Sequence, residues 1–320
     1  MSNDFAAAAM MRLMAQGLRA QGLALPAPAG APGRAGAAKG PHVPLAHKRA
    51  MLDAMAQAHG PLCLLRIGAA VHTLGDEPTL ATLCLAQTPP DMLARWQRLE
   101  RFIHSRHRVQ VLHTAPNALV FRHVSTLGEP PSLAEDLLIA GVLVALAEAT
   151  GGHALKARRW QHPPWLYREG AWAHAPGMAL QGDASTWELH WAPPAAGHAT
   201  AKAPLAADAD LLHQAQAVLR QDPSAPWRLG RLAAQLGLSA RSLQRALGNR
   251  GTRFTTVLAD VRLAHAARLL LETRQSPAQV GYLCGYADQA HFTREFKRRT
   301  ALAPAQFQQK LSGETPQGLV

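Results

Sequence analysis

The hydrophobic positions of this 320-residue chain fall into two textures that meet near residue 210. In the first, helix-like and strand-like periods alternate. Met92, Trp96, Leu99 and Ile103 recur at steps of four, three and four, the spacing of one helical face. The runs VQVLH (109–113) and ALVFRHV (118–124) are β-prone and join across Pro116 and Asn117, which predicts a hairpin. LAEDLLIAGVLVALAEATGG then predicts a largely buried helix that starts near Ser132 and ends before Gly151. Alternation in TWELHW predicts one more strand, with Trp187, Leu189 and Trp191 on one face. Nearer the start, MMRLMAQGLRAQGLAL has the character of a short amphipathic helix, and PAPAGAPGRAGAAKGP reads as a flexible linker.

From residue 211 the texture is helical throughout, and one unit occurs twice. In the first copy, RLGRLAAQLGLSARSLQRAL (228–247), Leu232, Ala233 and Leu236 mark an apolar helical face. Gly237 supplies a turn, Ser239 is a good N-cap, and Leu243 and Leu247 form the inward stripe of the next helix. The second copy is SPAQVGYLCGYADQAHFTREFKRR (276–299). It opens on a capping box, with Ser276 at N-cap, Pro277 at N1 and Gln279 at N3. Gly285 supplies its turn, Asp288 the next N-cap, and Phe292 and Phe296 the inward stripe. Gly237 aligns with Gly285, Leu243 with Phe292 and Arg245 with Arg294, so each copy reads as a helix-turn-helix. Between them, FTTVLADVRLAHAARLLLETR (254–274) predicts a long helix. Its Val257, Leu258, Val261, Ala264 and Leu271 form a stripe placed to pack against both units.

The expected fold is therefore an α+β N-terminal domain followed by an all-α C-terminal domain with two helix-turn-helix units. The expected boundaries are a flexible extension at 1–42, a regulatory domain at 43–192, a linker at 193–209, a helical domain at 210–312 and a tail at 313–320. The tryptophans at 160, 165, 172, 187 and 191 favour a domain core or interdomain contact over an aromatic ligand box.

Charge adds a direction to this layout. The formal net charge is +12, and the residues from 210 onward hold 15 Lys and Arg against 7 Asp and Glu, or +8 of it. A basic C-terminal module is the expected partner of a polyanion, with nucleic acid the leading candidate. With Leu243 and Leu247 inside, the first unit turns Arg241, Gln244, Arg245 and Gly248 outward. With Phe292 and Phe296 inside, the second turns out Gln289, Ala290, Thr293, Arg294 and Lys297. Arginine suits the O6 and N7 acceptors of guanine, and glutamine suits adenine. Arg250, Arg253, Arg262, Arg298 and Arg299 are assigned to phosphates or to structure. Two recognition helices about 34 Å apart on one face would enter successive major grooves of one duplex.

The C-terminal segment closely resembles the tandem helix-turn-helix domain of the AraC/XylS family of bacterial transcription regulators. The resemblance rests on LAAQLGLSARSLQRAL, on VRLAHAARLLLE and on SPAQVGYLCGYADQAHFTREFKRRTALAPAQF, and it covers 210–309. It implies a seven-helix DNA-binding domain. By motif position it implies base contacts at Arg241, Gln244 and Arg245, and at Gln289, His291 and Arg294, with Lys297 and Arg298 also on the DNA side. His291, at N3 after Asp288, is placed either at the groove edge or at the backbone. Two positions depart from the family pattern: Ala301 stands where glycine is usual, and Gln308 where arginine commonly follows the last aromatic. A left-handed alanine would cost about 1 kcal/mol, which predicts an adjusted helix end. The stretch LLRIGAAVHTLGDEPTLATLCLAQTPPDMLARWQRLERF resembles the arabinose-binding-like sensor domain of regulators of ornithine and arginine utilisation. That implies an α+β effector-binding domain over roughly 43–192.

Other chemistries are poorly served. Cys63, Cys84 and Cys284 form no CxxC pair, so they read as buried apolar side chains. No GxSxG, HExxH or P-loop pattern is present, and no enzymatic role or cofactor is expected. The alternative is a metal- or haem-binding sensor or enzyme built on His104, His107, His113 and His123. No carboxylate or thiolate reinforces that cluster in sequence, and Arg106, Arg108 and Arg122 surround it. Asp4 and Arg12 make the start unlike a secretory signal, and Leu137 to Ala147 is shorter than the about 20 residues a bilayer needs. The expectation is a cytoplasmic, nucleoid-associated protein whose partners are double-stranded DNA at two adjacent major-groove segments and a small-molecule effector. RNA polymerase and a second copy of the chain are further candidates.

Overall fold

The computed structural model describes residues 4–26, 42–72, 77–173, 183–193, 211–273 and 275–311. Two units emerge, 1–72 with 83–198, and 73–82 with 199–320. Most of the expected linker at 193–209, the linker at 27–41 and the tail at 313–320 lie outside the described residues.

The chain begins with β1 (Phe5–Ala7), α1 (Ala8–Ala20), β2 (His42–Pro44), α2 (Leu45–His59), α3 (Leu62–Arg66) and a 3₁₀ turn (Ile67–His72). Next come α4 (Pro78–Cys84), α5 (Pro89–Ile103), the hairpin β3 (His107–Ala115) and β4 (Ala118–Ser125), and α6 (Leu133–Ala149). Strands β5 (Lys156–Arg159), β6 (Tyr167–Arg168), β7 (Ala171–Trp172) and β8 (Thr186–His190) complete the first unit. They form an antiparallel sheet in the order β3-β4-β8-β5-β6-β7, beside a two-stranded β1-β2 ribbon. The hairpin turns at Pro116 and Asn117, as the β-prone runs predict.

Helix α6 is the axis of this unit. Ser132 caps it with the full capping box, reciprocated by Glu135, and every residue from Ala134 to Ala147 is buried. A helix apolar on all sides must be surrounded, and α2, α3, α5 and the 3₁₀ turn do this. The closest approach is backbone on backbone. A Cβ added to Gly141 would lie 2.2 Å from the Leu65 carbonyl oxygen, and one added to Gly68 would lie 1.9 Å from that of Gly141.

One expectation needs correcting, and a second gains a detail. The residues read as the start of a flexible extension are folded wherever they are described: β1 pairs with β2, and α1 buries Leu13, Met14 and Leu18. The amphipathic helix expected from MMRLMAQGLRAQGLAL is α1, and it belongs to the folded unit instead of to an extension. Strand β8 forms as expected, with Trp187, Leu189 and Trp191 buried. It lies between β4 and β5, so Thr186 and Glu188 are buried as well as Trp187 and Leu189. Glu188 is accommodated by Arg158 at 2.7 Å and His190 at 2.7 Å.

In the second unit seven helices are described from residue 211 onward. They are α7 (Leu211–Gln221), α8 (Leu229–Gln235), α9 (Ala240–Asn249), α10 (Phe254–Glu272), α11 (Pro277–Leu283), α12 (Gln289–Thr300) and α13 (Pro304–Leu311). The central α10 packs against α7, α11 and α13. One core gathers Leu219, Trp227, Leu232, Leu243, Leu247 and Val261. The other is a run of rings, Tyr286 to Phe292 to Phe296 to Phe307, with centroids 5.2, 5.5 and 5.0 Å apart. The expected adjustment at the end of α12 does not occur: Ala301 is left-handed, with φ 65°. Its amide still bonds to the Lys297 carbonyl, so the helix end is kept and the alanine carries the strain. Gln308 occupies the second departure and donates to the Gln275 carbonyl at 3.1 Å.

Two substitutions check this account by chemical denaturation of the full chain. Gly141→Ala should lower the stability of the first unit by about 3 kcal/mol, since a methyl group has no room between two backbones. Ala301→Gly should raise that of the second by about 1 kcal/mol, and no gain would mean the left-handed turn is unstrained.

Candidate functional site

The first helix pair is assembled from its apolar residues outward. Leu232 and Ala233 fix α8, and the backbone reverses at Gly237, whose φ of +67° favours glycine. Ser239 accepts the Ser242 amide at 3.1 Å and starts α9. Leu243 and Leu247 are buried, which leaves Arg241, Gln244, Arg245 and Gly248 exposed along the opposite side. Gln244 and Gly248 also border an open groove of about 630 Å³ with Thr252 and Arg253.

The second pair repeats the design with different parts. The capping box of Ser276 and Gln279 opens α11, with Pro277 in its first turn. Asp288 accepts the His291 amide at 2.7 Å and opens α12. Phe292 and Phe296 point into the ring core, and Gln289, Ala290, His291, Arg294 and Lys297 are exposed. Thr293 is half-buried. The His291 ring meets Tyr286 edge to face at 5.4 Å. Seven of the eight sequence-derived site residues thus lie on two exposed helical faces, with no ion pair to a carboxylate described at any of them. The eighth, Arg298, is exposed but held by Glu295 at 3.2 and 2.6 Å. The Arg298 hydrogen bond keeps that carboxyl below the usual carboxylate range.

The remaining arginines separate into surface and structure. Arg299 is only 7% exposed and pairs with Asp260 of α10. Arg262, also on α10, donates to the Pro223 carbonyl at 2.9 Å and the Ala225 carbonyl at 3.0 Å. Its guanidinium also fills the space where a Cβ on Gly285 would sit, 2.7 Å away. Of the two roles open to Arg262 and Arg299, the structural one is realised. Nothing in the local sequence marks it, because the carbonyls bound by Arg262 lie 37 and 39 residues away.

The first unit holds a second concentration of polar groups. Lys48 is 1% exposed and reaches Glu135 at 3.3 Å, which Arg49 also contacts at 3.3 Å. Burial would raise the Glu135 pKa, but Lys48, His107, the Ser132 amide and Arg49 hold it below the usual range. The His107 ring stacks on His104 at 4.0 Å and meets His123 edge-on at 4.9 Å. Burial pushes His107 and His123 down to about 3, and His104 further. His123 shares a 2.8 Å hydrogen bond with Asp136, which burial pushes up to about 8. Glu100 accepts the Val109 amide at 2.8 Å, and burial raises it to about 7.

His104, His107 and Glu135 offer ligand atoms within 4.8 Å of one another, a set the sequence conceals because Glu135 comes from α6. The donor chemistry does not fit a cation. The Nδ1 atom of His104 accepts two backbone amides, from Arg106 at 3.3 Å and His107 at 3.1 Å, so its ring proton sits on Nε2. A metal-bound histidine needs the opposite arrangement, with a lone pair facing the ion and the other nitrogen donating. Lys48 already holds the Glu135 oxygen that would complete the set.

Residues 232–310 match the sequence profile of a helix-turn-helix domain family. Over 90 residues, 32% are identical to the urease operon transcriptional activator of Escherichia coli, and 30% to the transcriptional activator CfaD of the same organism. This segment is a helix-turn-helix domain, similar to those of transcriptional activators. Each match covers 28% of this chain, and 30% and 34% of those two proteins, so the chain spans about a third of the relatives' length. A solved structure of an AraC-type regulator from Chromobacterium violaceum is 24% identical, covers 32% of this chain and 94% of its own, and has a TM-score of 0.31. Within the matched segment lie both exposed helical faces and both buried arginines. No helix among the described residues is long and apolar enough to cross a membrane.

Replacing Arg262 with Met should lower the denaturation midpoint of the second unit, by about 2 kcal/mol for two lost charge-assisted bonds. An unchanged midpoint would return this arginine to the phosphate contacts.

Proposed function

We propose that the protein is a sequence-specific DNA-binding transcription regulator in which residues 43–192 sense a small-molecule effector and 210–312 read DNA. The observation that carries this reading is the pair of exposed rows on α9 and α12, each bearing Arg and Gln above a fully buried apolar stripe. In this reading α8–α9 and α11–α12 are two helix-turn-helix units. Arg241, Gln244 and Arg245 face one major-groove segment, and Gln289, His291 and Arg294 the next. Lys297 and Arg298 meet phosphates, where charge positions the protein without specifying sequence. Arg298 must then exchange its Glu295 partner for a phosphate, and so contributes less than a free guanidinium would.

The sensor half is read as the arabinose-binding-like type. It acts through a population shift, which requires the effector to bind the DNA-competent and incompetent arrangements with different affinities. The reading places the protein in the cytoplasm at the nucleoid without a catalytic role, and RNA polymerase and a second copy of the chain are its further candidate partners.

Binding-site selection with the full chain tests the assignment. Arg245→Ala and Arg294→Ala should each relax one base position, at a cost of about 1–3 kcal/mol. If both variants select the parent motif, the recognition faces are wrongly assigned. Arg298→Ala should weaken binding evenly across sequences and flatten its salt dependence. Arg299→Ala should instead lower the unfolding temperature.

A further inference from the structure

We propose that the outer edge of β3 is where a second copy of this chain docks, strand against strand, so that the sheets of two copies run on as one. This gives a surface to the second-copy partner named above, and it stands whether or not the chain binds DNA.

Strand β3 pairs only with β4 among the described residues, so its other side is a sheet edge. Helix α5 covers the start of that edge. Gln97 donates to the Val109 carbonyl at 2.9 Å, and Glu100 accepts the Val109 amide at 2.8 Å. Both backbone groups of Val109 therefore point away from β4. In an antiparallel pair this direction alternates, so Val111 also turns its amide and carbonyl outward. The hairpin fixes the other end. Ala115 and Ala118 close its two-residue turn, which leaves the backbone of Thr114, opposite Leu119, facing outward. No hydrogen bond to the outward groups of Val111 or Thr114 is present among the described residues. The stretch from Gln110 to Thr114 is exposed, with Val111 at 39% and Leu112 at 46%.

Val111 and Thr114 are three residues apart, yet both face the same way. The bulge between Val111 and His113 takes up the extra residue. Val111 lies opposite Phe121 and Thr114 opposite Leu119, so the two positions keep the step of the regular strand β4. Two outward residues in step make the edge complementary to itself about a two-fold axis. Val111 of one copy meets Thr114 of the other, and Thr114 meets Val111, each pair exchanging two backbone hydrogen bonds.

Charge favours a second copy over another strand. The chain carries +12, so two copies repel unless they meet where no charge lies. Residues 109–117 contain no Lys, Arg, Asp or Glu. An acidic strand would be drawn to basic side chains, and this window offers none. Proteins commonly guard an edge with charge or proline, and 109–115 has neither. An edge this short buries less than the roughly 1,200–2,000 Å² of a stable complex, so pairing is reversible and strengthens when two copies are held close together.

Oxidative cross-linking of the purified full chain tests both the pairing and its register. Facing residues of a hydrogen-bonded antiparallel pair have Cα atoms about 5.5 Å apart, within disulfide reach. A mixture of Val111→Cys and Thr114→Cys chains should form a covalent dimer of one of each. The parent, with its own three cysteines, sets the background, and either variant alone should stay at it. In sedimentation at high concentration the parent should shift towards a dimer and no further, since a two-fold contact closes on itself. Val111→Lys should weaken that association at least about tenfold, because it places a charge on the edge. Thr114→Pro should do the same, since it removes an outward amide and no bond to β4. Circular dichroism shows whether each variant folds, and should one fail, the other carries the test.

No mixed dimer above background, equal cross-linking of a single variant, or a parent that stays monomeric would each overturn the proposal. So would assembly beyond a dimer, or unchanged association in a folded edge variant. DNA binding by the parent is measured separately. Its absence defeats only the regulator reading, and absence of the mixed dimer defeats only this proposal.

Discussion

The second unit depends on one guanidinium. Arg262 leaves the central helix α10, binds two carbonyls in the 223–225 connection and occupies the space beside Gly285. Three parts of the unit therefore meet at one charged group: the lead-in to the first helix pair, the spacer and the turn of the second pair. Burial lowers its pKa, yet two well-aligned carbonyls compensate for the lost water. Gly285 is constrained twice at this junction, by its φ of +79° and by the guanidinium itself. A planar guanidinium fork holds these three parts in a more fixed geometry than apolar side chains, which can change rotamer.

In the first unit the corresponding role falls to the start of α6. A single carboxylate, Glu135, closes the capping box on Ser132 and receives Lys48 and Arg49. Helix initiation and the buried ionic layer are thus one structure, and neither persists without the other. One turn later the helix becomes wholly apolar, and the crossing at Gly141 and Gly68 brings backbones into contact. Polar specification at one end and close packing along the rest leave few alternatives for how α2, α3 and α5 surround it.

Much of this was legible in the sequence where a local signal exists. The caps at Ser132, Ser239, Ser276 and Asp288, the turn glycines and the inward stripes each depend on residues within one or two turns. The exposed faces of α9 and α12 follow from those stripes by helical geometry. What escaped was non-local. Arg262 and Arg299 look like any other arginine on a basic helix until their partners are placed. Glu135 joins a histidine cluster 28 to 31 residues upstream only because α6 crosses β3 and the end of α5. Helix α1 was legible as an amphipathic stripe, but its packing and the pairing of β1 with β2, 37 to 39 residues apart along the chain at Phe5↔Pro44 and Ala6↔Val43, were not. The strain at Ala301 was legible as a departure, but not its outcome, since the rest of the last turn proved stiff enough to impose the left-handed residue.

The two exposed helices are mounted differently. Helix α12 rides on a continuous run of rings from Tyr286 through Phe292 and Phe296 to Phe307 of the last helix, so tilting it would disturb the ring contacts to Tyr286 and to Phe307 at once. Helix α9 is seated on two leucines, whose side chains can exchange rotamers and follow a shift of the backbone. The molecule therefore carries one stiff finger and one compliant finger. In the proposed reading, the stiff one would set the register of a long, rigid partner, and the compliant one would absorb local variation in its shape.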